Sequence, residues 1–164
     1  MNESYIHVAM RRFLKSQGWT LIAGEYPGGS DDELYVLSIT DPQVARDNSP
    51  DPRRHSEGEI IPDLFAYKDG QILVIEAKPK YSASDREKLR SLFTTKKGLM
   101  INALRKFCSD HKLLTGINLE EICYIPTLAF GNEDYKIYNE EPGFAHIYVR
   151  NLKEARLIYF GDNE

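Results

Sequence analysis

The central structural element of this chain is predicted by the segment Glu59-Ile-Ile-Pro-Asp-Leu-Phe-Ala-Tyr-Lys-Asp-Gly-Gln-Ile-Leu-Val-Ile-Glu-Ala-Lys-Pro-Lys80. Two apolar runs flank Asp69-Gly70, the dipeptide that most readily adopts the positive φ angles of a type I′ turn. The segment therefore predicts a β-hairpin in which Lys68 faces Gln71. Because the runs Leu64 to Ala66 and Ile72 to Ile75 are apolar throughout, both strands are expected to be largely buried.

The register of this hairpin places Asp63 directly opposite Glu76, in a non-hydrogen-bonded pair whose Cβ atoms approach to about 4.5–5.5 Å. Two carboxylates at that separation repel each other unless a cation lies between them. Lys78, two residues further along the strand, points to the same face. A hard divalent cation suits the pair, because Mg²⁺ is usually held by one or two carboxylates and keeps several waters.

Pro62-Asp63 followed by Glu76-Ala77-Lys78 resembles the signature of the PD-(D/E)XK nuclease superfamily, which has the restriction-endonuclease-like fold. In that family the Asp, the Glu and the carbonyl of the middle residue bind metal, and the Lys orients or activates the attacking water. The resemblance therefore implies that Asp63, Glu76 and Ala77 hold Mg²⁺ or Mn²⁺, with Lys78 as a catalytic residue. The competing interpretation is a surface hairpin whose acids and lysine are solvated edge charges.

The first element is predicted to be a helix from Glu3 to Gln17, with Asn2 as N-cap and Gly18 as its end. Many members of the superfamily carry a glutamate on this helix that joins the metal site. The resemblance extends that catalytic role to Glu3, the only acid on the helix. The alternative is that Glu3 complements the helix dipole. His7 is expected to be a partly buried helix residue rather than a ligand.

The remaining pattern predicts an α/β (α+β) protein. Ser84 and Glu87 form a capping box that would start a helix, and a second helical stretch is expected from Leu99 to His111. Further strands are predicted over residues 19–24, 33–40, 122–130, 145–149 and 156–160. Pro126 is expected to mark a bulge or an edge. This order matches the α-β-β-β-α-β core of the superfamily, a mixed central sheet flanked by helices, with extra C-terminal strands.

Length and composition favour one folded domain over residues 1–164, with a long mobile loop at residues 41–58 that contains three prolines. No apolar run is long enough to cross a bilayer and the first residues lack a signal-peptide pattern, so a cytoplasmic protein without a membrane partner is expected. Cys108 and Cys123 lack Cys-x-x-Cys spacing and are expected to be two buried thiols.

The net charge is −4, but it is unevenly distributed. Eight basic residues and only two acidic ones lie between Arg86 and Lys112, whereas acids dominate the last thirty or so positions. Such asymmetry is typical of a domain with one face for a polyanion, although any single lysine on that face could simply be solvated. The candidate contacts to nucleic acid are Arg86, Arg90, Lys96 and Lys97 on this segment, and Arg53 and Arg54 in the preceding loop.

These observations predict a metal-dependent nuclease that hydrolyses phosphodiester bonds in nucleic acid. DNA is the favoured substrate, and the family resemblance implies an endodeoxyribonuclease that leaves a 5′-phosphate. A palindrome-specific cut of both strands would require a homodimer. Two alternatives stay open: a non-cleaving nucleic-acid-binding or scaffolding subunit on the same fold, and an RNA-directed nuclease or toxin.

Overall fold

The structure is a computed structural model, and it describes residues 1–29, 33–40 and 59–161. In chain order its elements are α1 (Glu3–Ser16), β1 (Thr20–Gly24), β2 (Ile39–Thr40), β3 (Glu59–Ile60), β4 (Leu64–Lys68), β5 (Gln71–Lys78), α2 (Ala83–Thr95), α3 (Lys97–His111), β6 (Cys123–Gly131), β7 (Ala145–Val149) and β8 (Ala155–Tyr159). No helix in these ranges is both long enough and apolar enough to cross a membrane.

Six strands form one mixed sheet in the order β1-β4-β5-β6-β7-β8. The central strands β5, β6 and β7 are parallel, whereas β1, β4 and β8 run antiparallel to their neighbours. The connection from β5 to β6 carries α2 and α3, the kind of helical crossover that parallel strands need. The protein is therefore a mixed α/β protein, and β2 and β3 pair separately as a short ribbon.

The predicted hairpin is confirmed as β4 and β5. Lys68 pairs with Gln71 and Leu64 pairs with Ile75, so the register is the one that the sequence predicts. Asp69 has a φ of 48° and Gly70 a φ of 80°, the two positive angles that a type I′ turn requires. The turn thus fixes which side chains face each other further along both strands.

Helices cover both faces of the sheet, and successive strand residues supply the two cores. On one face, α1 buries Ile6, Met10 and Leu14 against Leu73 and Ile75. The second core lies under α2 and α3, and its buried members include Phe65, Ile72, Val74, Leu89, Leu92, Met100 and Leu104. Leu73 and Val74 therefore point into different cores, which explains why β5 has no polar residue between Ile72 and Ile75.

The first helix confirms the sequence prediction, since Asn2 caps it by accepting a hydrogen bond from the Tyr5 N–H. The predicted start of α2 is wrong by two residues. Ser82, not Ser84, is the N-cap, because its hydroxyl accepts the Asp85 N–H at 3.1 Å. A serine pair spaced by one residue offers two caps, and the earlier one lets α2 begin directly after the chain leaves β5.

Three other predictions also need correction. Only Ile39–Thr40 of the strand predicted over residues 33–40 is a strand. Pro126 lies inside the sheet, with no break in the pairing with β5, where it faces Val74. The pairing of β6 with β7 begins one residue later, so the missing N–H falls where that ladder has not yet started. Cys108 is buried as expected, but Cys123 is exposed because it begins β6. The predicted loop at 41–58 lies outside the described residues.

Candidate metal site at the end of the hairpin

Asp63 lies one residue before β4, directly across the hairpin from Glu76. The Asp63 N–H donates to Glu76 Oε2 over 3.0 Å, and the Ala77 N–H donates to Asp63 Oδ2 over 2.8 Å. Each carboxylate is therefore held by a backbone group of the opposite strand. The register that the turn dictates thus brings the two acids together at the end of the buried sheet.

Glu76 is almost fully buried and Asp63 is half-buried, since 4% of the Glu76 side chain and 23% of the Asp63 side chain are exposed. Burial, followed by the nearby charge of Glu76, raises the pKa of Asp63 to about 7, against the lowering effect of the Ala77 N–H. Burial also raises the pKa of Glu76, although the Lys88 ammonium beside it acts in the opposite direction. A proton or a cation is thus needed to stabilise the pair.

Lys88 on α2 supplies such a charge, and sequence reasoning did not single it out. Its Nζ donates to Glu76 Oε1. Burial lowers the pKa of Lys88, but the charge and the hydrogen bond of Glu76 outweigh that effect and raise it overall. In the sequence Lys88 is one of eight basic residues in the segment after Lys80, and no local pattern distinguishes it. Only the packing of α2 over β6, the strand next to Glu76, brings it to the acid.

The N-terminal turns of α1 reach the same point. Lys78 Nζ lies 3.7 Å from Glu3 Oε1, and 43% of the Lys78 side chain is exposed. His7 Nε2 lies 3.9 Å from both Glu3 Oε2 and Asp63 Oδ2, and the ring is fully buried rather than partly buried as predicted. Glu3 therefore lies with the predicted site residues, while its role as a metal ligand stays a prediction.

A further carboxylate, Asp85, lies in the first turn of α2. The residue is buried, and its Oδ2 has no hydrogen-bond partner among the described residues. Burial and the ion pair between Glu76 and Lys88 have the largest effects on the pKa values of these two residues. The charge of Asp85 is a smaller effect that raises both values, so Asp85 lies close to the pair. Because a buried carboxylate oxygen without a partner is costly, this atom has an acceptor position to offer.

The oxygen atoms at this site fit a hard cation only in part as they stand. Within residues 1–29, 33–40 and 59–161, no group of three or more His, Cys, Asp or Glu side chains is arranged to hold a metal ion. Two carboxylates are nevertheless sufficient for Mg²⁺ or Mn²⁺, which keep several waters. Asp63 and Glu76, with the Ala77 carbonyl, would hold the ion. Glu76 Oε1 would first have to part from Lys88.

Two of the predicted nucleic-acid contacts already face acids. Arg86 donates to Glu87, Glu140 and Glu141. Arg90 lies 3.5 Å from Glu141 and 3.6 Å from Glu87. Glu140 is anchored in turn, because the Tyr81 hydroxyl donates to it and His146 lies 3.4 Å away. The two guanidinium groups thus belong to an ion-pair network, and their contact with nucleic acid stays a prediction.

Of the four other predicted contacts, two lie where α2 meets α3 and two lie outside the described residues. Lys97 Nζ lies 6.0 Å from the centre of the Tyr124 ring, near the start of β6. Lys96 lies at the junction of α2 and α3. Arg53 and Arg54 fall in the part of the chain that the structure does not describe.

Comparison of this chain with protein-family models, with curated proteins and with solved structures finds no significant match in any of the three. The fold and the site therefore carry the functional argument alone.

Proposed function

We propose that this protein is a metal-dependent nuclease and that it acts as an endodeoxyribonuclease. The observation that carries the proposal is the pair of Asp63 and Glu76, one half-buried and the other buried, which lie side by side at the end of the hairpin and are held by reciprocal backbone hydrogen bonds. Lys78, on the same strand as Glu76, adds an exposed ammonium that lies 3.7 Å from Glu3 Oε1. A buried acid pair next to a lysine has no evident structural use, since the like charges destabilise the fold.

The order of α1, β1, β4, β5, α2 and β6 supports the finer proposal of a restriction-endonuclease-like core. In that arrangement the hairpin supplies the acids, and the long crossover places β6 parallel to β5. The strands β7 and β8 extend the sheet beyond the core. Active-site groups of α/β proteins commonly lie at or beyond the carboxyl ends of parallel strands, and Glu76 and Lys78 are among the last three residues of β5.

Each residue of the site has a chemical task in this proposal. Mg²⁺ or Mn²⁺, when bound, would supply charge to the scissile phosphate and acidify an attacking water. Asp63 and Glu76 would bind the cation, and their rigid hydrogen bonds limit the reorganisation on binding. Lys78 is exposed enough to reach a phosphate oxygen or to orient water. Glu3 Oε1 lies 3.7 Å from Lys78 Nζ and would position that ammonium.

The test is cleavage of supercoiled plasmid, linear duplex, single-stranded DNA and RNA, with Mg²⁺, Mn²⁺ or chelator. We expect metal-dependent cleavage that Asp63→Asn, Glu76→Gln and Lys78→Met each reduce by at least about 100-fold, the lower end of what electrostatic catalytic groups contribute. Lys153→Met and Glu154→Gln, in the exposed turn before β8, are matched controls that should cleave like the parent.

The four substrates also separate the alternatives. Cleavage of RNA alone would identify an RNA-directed nuclease. A second candidate, a nucleic-acid-binding subunit without cleavage, is favoured by one observation: Lys88 already neutralises Glu76, as a purely structural ion pair would. Binding of DNA without cleavage under any metal condition, by a protein that unfolds cooperatively, would establish that candidate and overturn the nuclease.

A further inference from the structure

Lys88 and Asp85 are neighbours on α2, and the hydrogen bonding of Asp85 is incomplete. Lys88 Nζ is bonded to Glu76 Oε1, whereas Asp85 Oδ2 is buried and has no hydrogen-bond partner in the described part of the chain. Both residues lie on α2, three positions apart, a spacing at which side chains on one helix meet. The Lys88 ammonium thus has two carboxylates within its reach and is bonded to one of them.

The site also carries more negative than positive charge. Glu3, Asp63, Glu76 and Asp85 supply four carboxylates, and Lys78 and Lys88 supply two ammonium groups. Any further cation that approaches Glu76 meets Lys88 at Oε1. Since like charges repel, the two cannot share that oxygen. A divalent ion can therefore use Glu76 fully only if the lysine moves.

We propose that Lys88 is a resident cation, which neutralises Glu76 in the metal-free protein and transfers to Asp85 when a divalent cation binds Asp63 and Glu76. This inference rests on the proposed metal site. It assigns Lys88 and Asp85 a positioning role: they set how tightly the cation binds, without contacting the substrate. Transfer to Asp85 keeps the ammonium hydrogen-bonded and supplies the partner that Asp85 Oδ2 lacks.

An alternative explanation for Asp85 is simpler. A carboxylate in the first turn of a helix complements the helix dipole, and Asp85 lies in the turn that Ser82 caps. In that case the charge of Asp85 would act on a bound cation directly and independently of Lys88. The two explanations differ in a double-mutant cycle, because only the transfer makes the effect of Asp85 depend on Lys88.

The experiment is calorimetric titration of the full chain with Ca²⁺ at pH 8, for the parent, Lys88→Met, Asp85→Asn and the double variant. Lys88→Met should bind Ca²⁺ about tenfold more tightly or better, because the cation no longer breaks a charge-assisted hydrogen bond. Asp85→Asn should bind several-fold more weakly, because the displaced lysine then lacks its second acceptor. In the Lys88→Met background, Asp85→Asn should have no further effect.

Two results would overturn the transfer. One is an affinity of Lys88→Met equal to or below that of the parent, and the other is an equal loss from Asp85→Asn in both backgrounds. If Lys88→Met does not fold, Lys88→Gln carries the same expectation. Asp63→Asn separates the two proposals. If the parent binds no Ca²⁺, or if Asp63→Asn binds it as the parent does, the metal site itself fails. Binding that depends on Asp63 but not on Lys88 overturns the transfer alone.

Discussion

Asp63 and Glu76 cannot turn away from each other, because a backbone N–H from the opposite strand holds each carboxylate. An exposed pair of acids would relieve its repulsion by changing rotamer or by taking up water. Here the backbone hydrogen bonds and the burial of Glu76 restrict both responses, while burial and the charge of Glu76 raise the pKa of Asp63 to about 7. Ionisation of Asp63 therefore lowers the stability of the native state.

This cost predicts a pH dependence for the metal-free protein. The pKa of Asp63 is raised above that of the unfolded chain, so the native state binds more protons between about pH 4 and pH 7. Stability is therefore retained below that window and lost as the pH rises through it. Because each unit of raised pKa corresponds to about 1.4 kcal/mol, the loss is expected to be large enough to measure by urea unfolding.

Asp63→Asn should remove most of this loss, because the amide can accept the Ala77 N–H without carrying charge. We expect the variant to unfold at higher urea than the parent at pH 7.5 and at nearly the same urea at pH 4, both in chelator. Asp134→Asn, an exposed control, should follow the parent at both values. Parallel stability curves for parent and Asp63→Asn across this range would mean that the acid pair is not strained.

At the scale of elements, the type I′ turn sets the register of the site. The need for glycine in this turn can be tested by comparing the effects of alanine substitution at Gly70 and at Gly98 on stability. Gly70 has a φ of 80° and open space around its Cβ position, so Gly70→Ala adds backbone strain without a clash. That substitution should cost about 1–2 kcal/mol. Gly98, within α3, is equally open and carries no positive φ, so Gly98→Ala should stabilise the protein by up to about 1 kcal/mol. Urea unfolding of the two variants measures both effects, and equal signs would contradict the assigned turn.

Features that depend on neighbouring residues were predictable from the sequence. The Asp69-Gly70 turn, the pairing of Lys68 with Gln71 and the Asn2 cap all follow from local backbone preferences, and the structure has all three. The cap of α2 was misplaced because Ser82 and Ser84 are equally good caps by residue type. Their choice depends on where β5 ends and how the chain turns, which no short pattern encodes.

Features that depend on how elements cross were not predictable. The hairpin alone indicates Asp63, Glu76 and Lys78, since one register fixes all three. Lys88 and Asp85 reach the site only because α2 packs over β6, whose Leu128 is the sheet partner of Glu76, and that placement is set by packing of the helix face. Pro126 likewise lies in a central strand because β7 begins only at the level of the next residue.

At the scale of the whole molecule, the basic segment is less free than its composition indicates. Its first two arginines pair with Glu87, Glu140 and Glu141, so part of the local positive charge is neutralised within the fold. Lys97 lies near Tyr124, which is four residues from Leu128, the partner of Glu76 in the sheet. Four residues of a strand span about 13 Å, so a duplex in contact with the site could still reach this lysine.

The same charge distribution predicts how binding responds to salt. If Lys96 and Lys97 contact phosphates of a duplex, the slope of the logarithm of the binding constant against the logarithm of salt should fall by about 0.9 for each contact removed. Lys96→Gln with Lys97→Gln should therefore flatten the slope by up to about 1.8, measured by fluorescence anisotropy with a labelled duplex in chelator. Lys153→Gln serves as the control and should keep the parent slope.

Lys80 and Lys136 line a depression on the protein surface beside Lys78. A slope that is unchanged in the Lys96 and Lys97 variant but flattened by Lys80→Gln with Lys136→Gln would place the phosphate contacts in that depression instead.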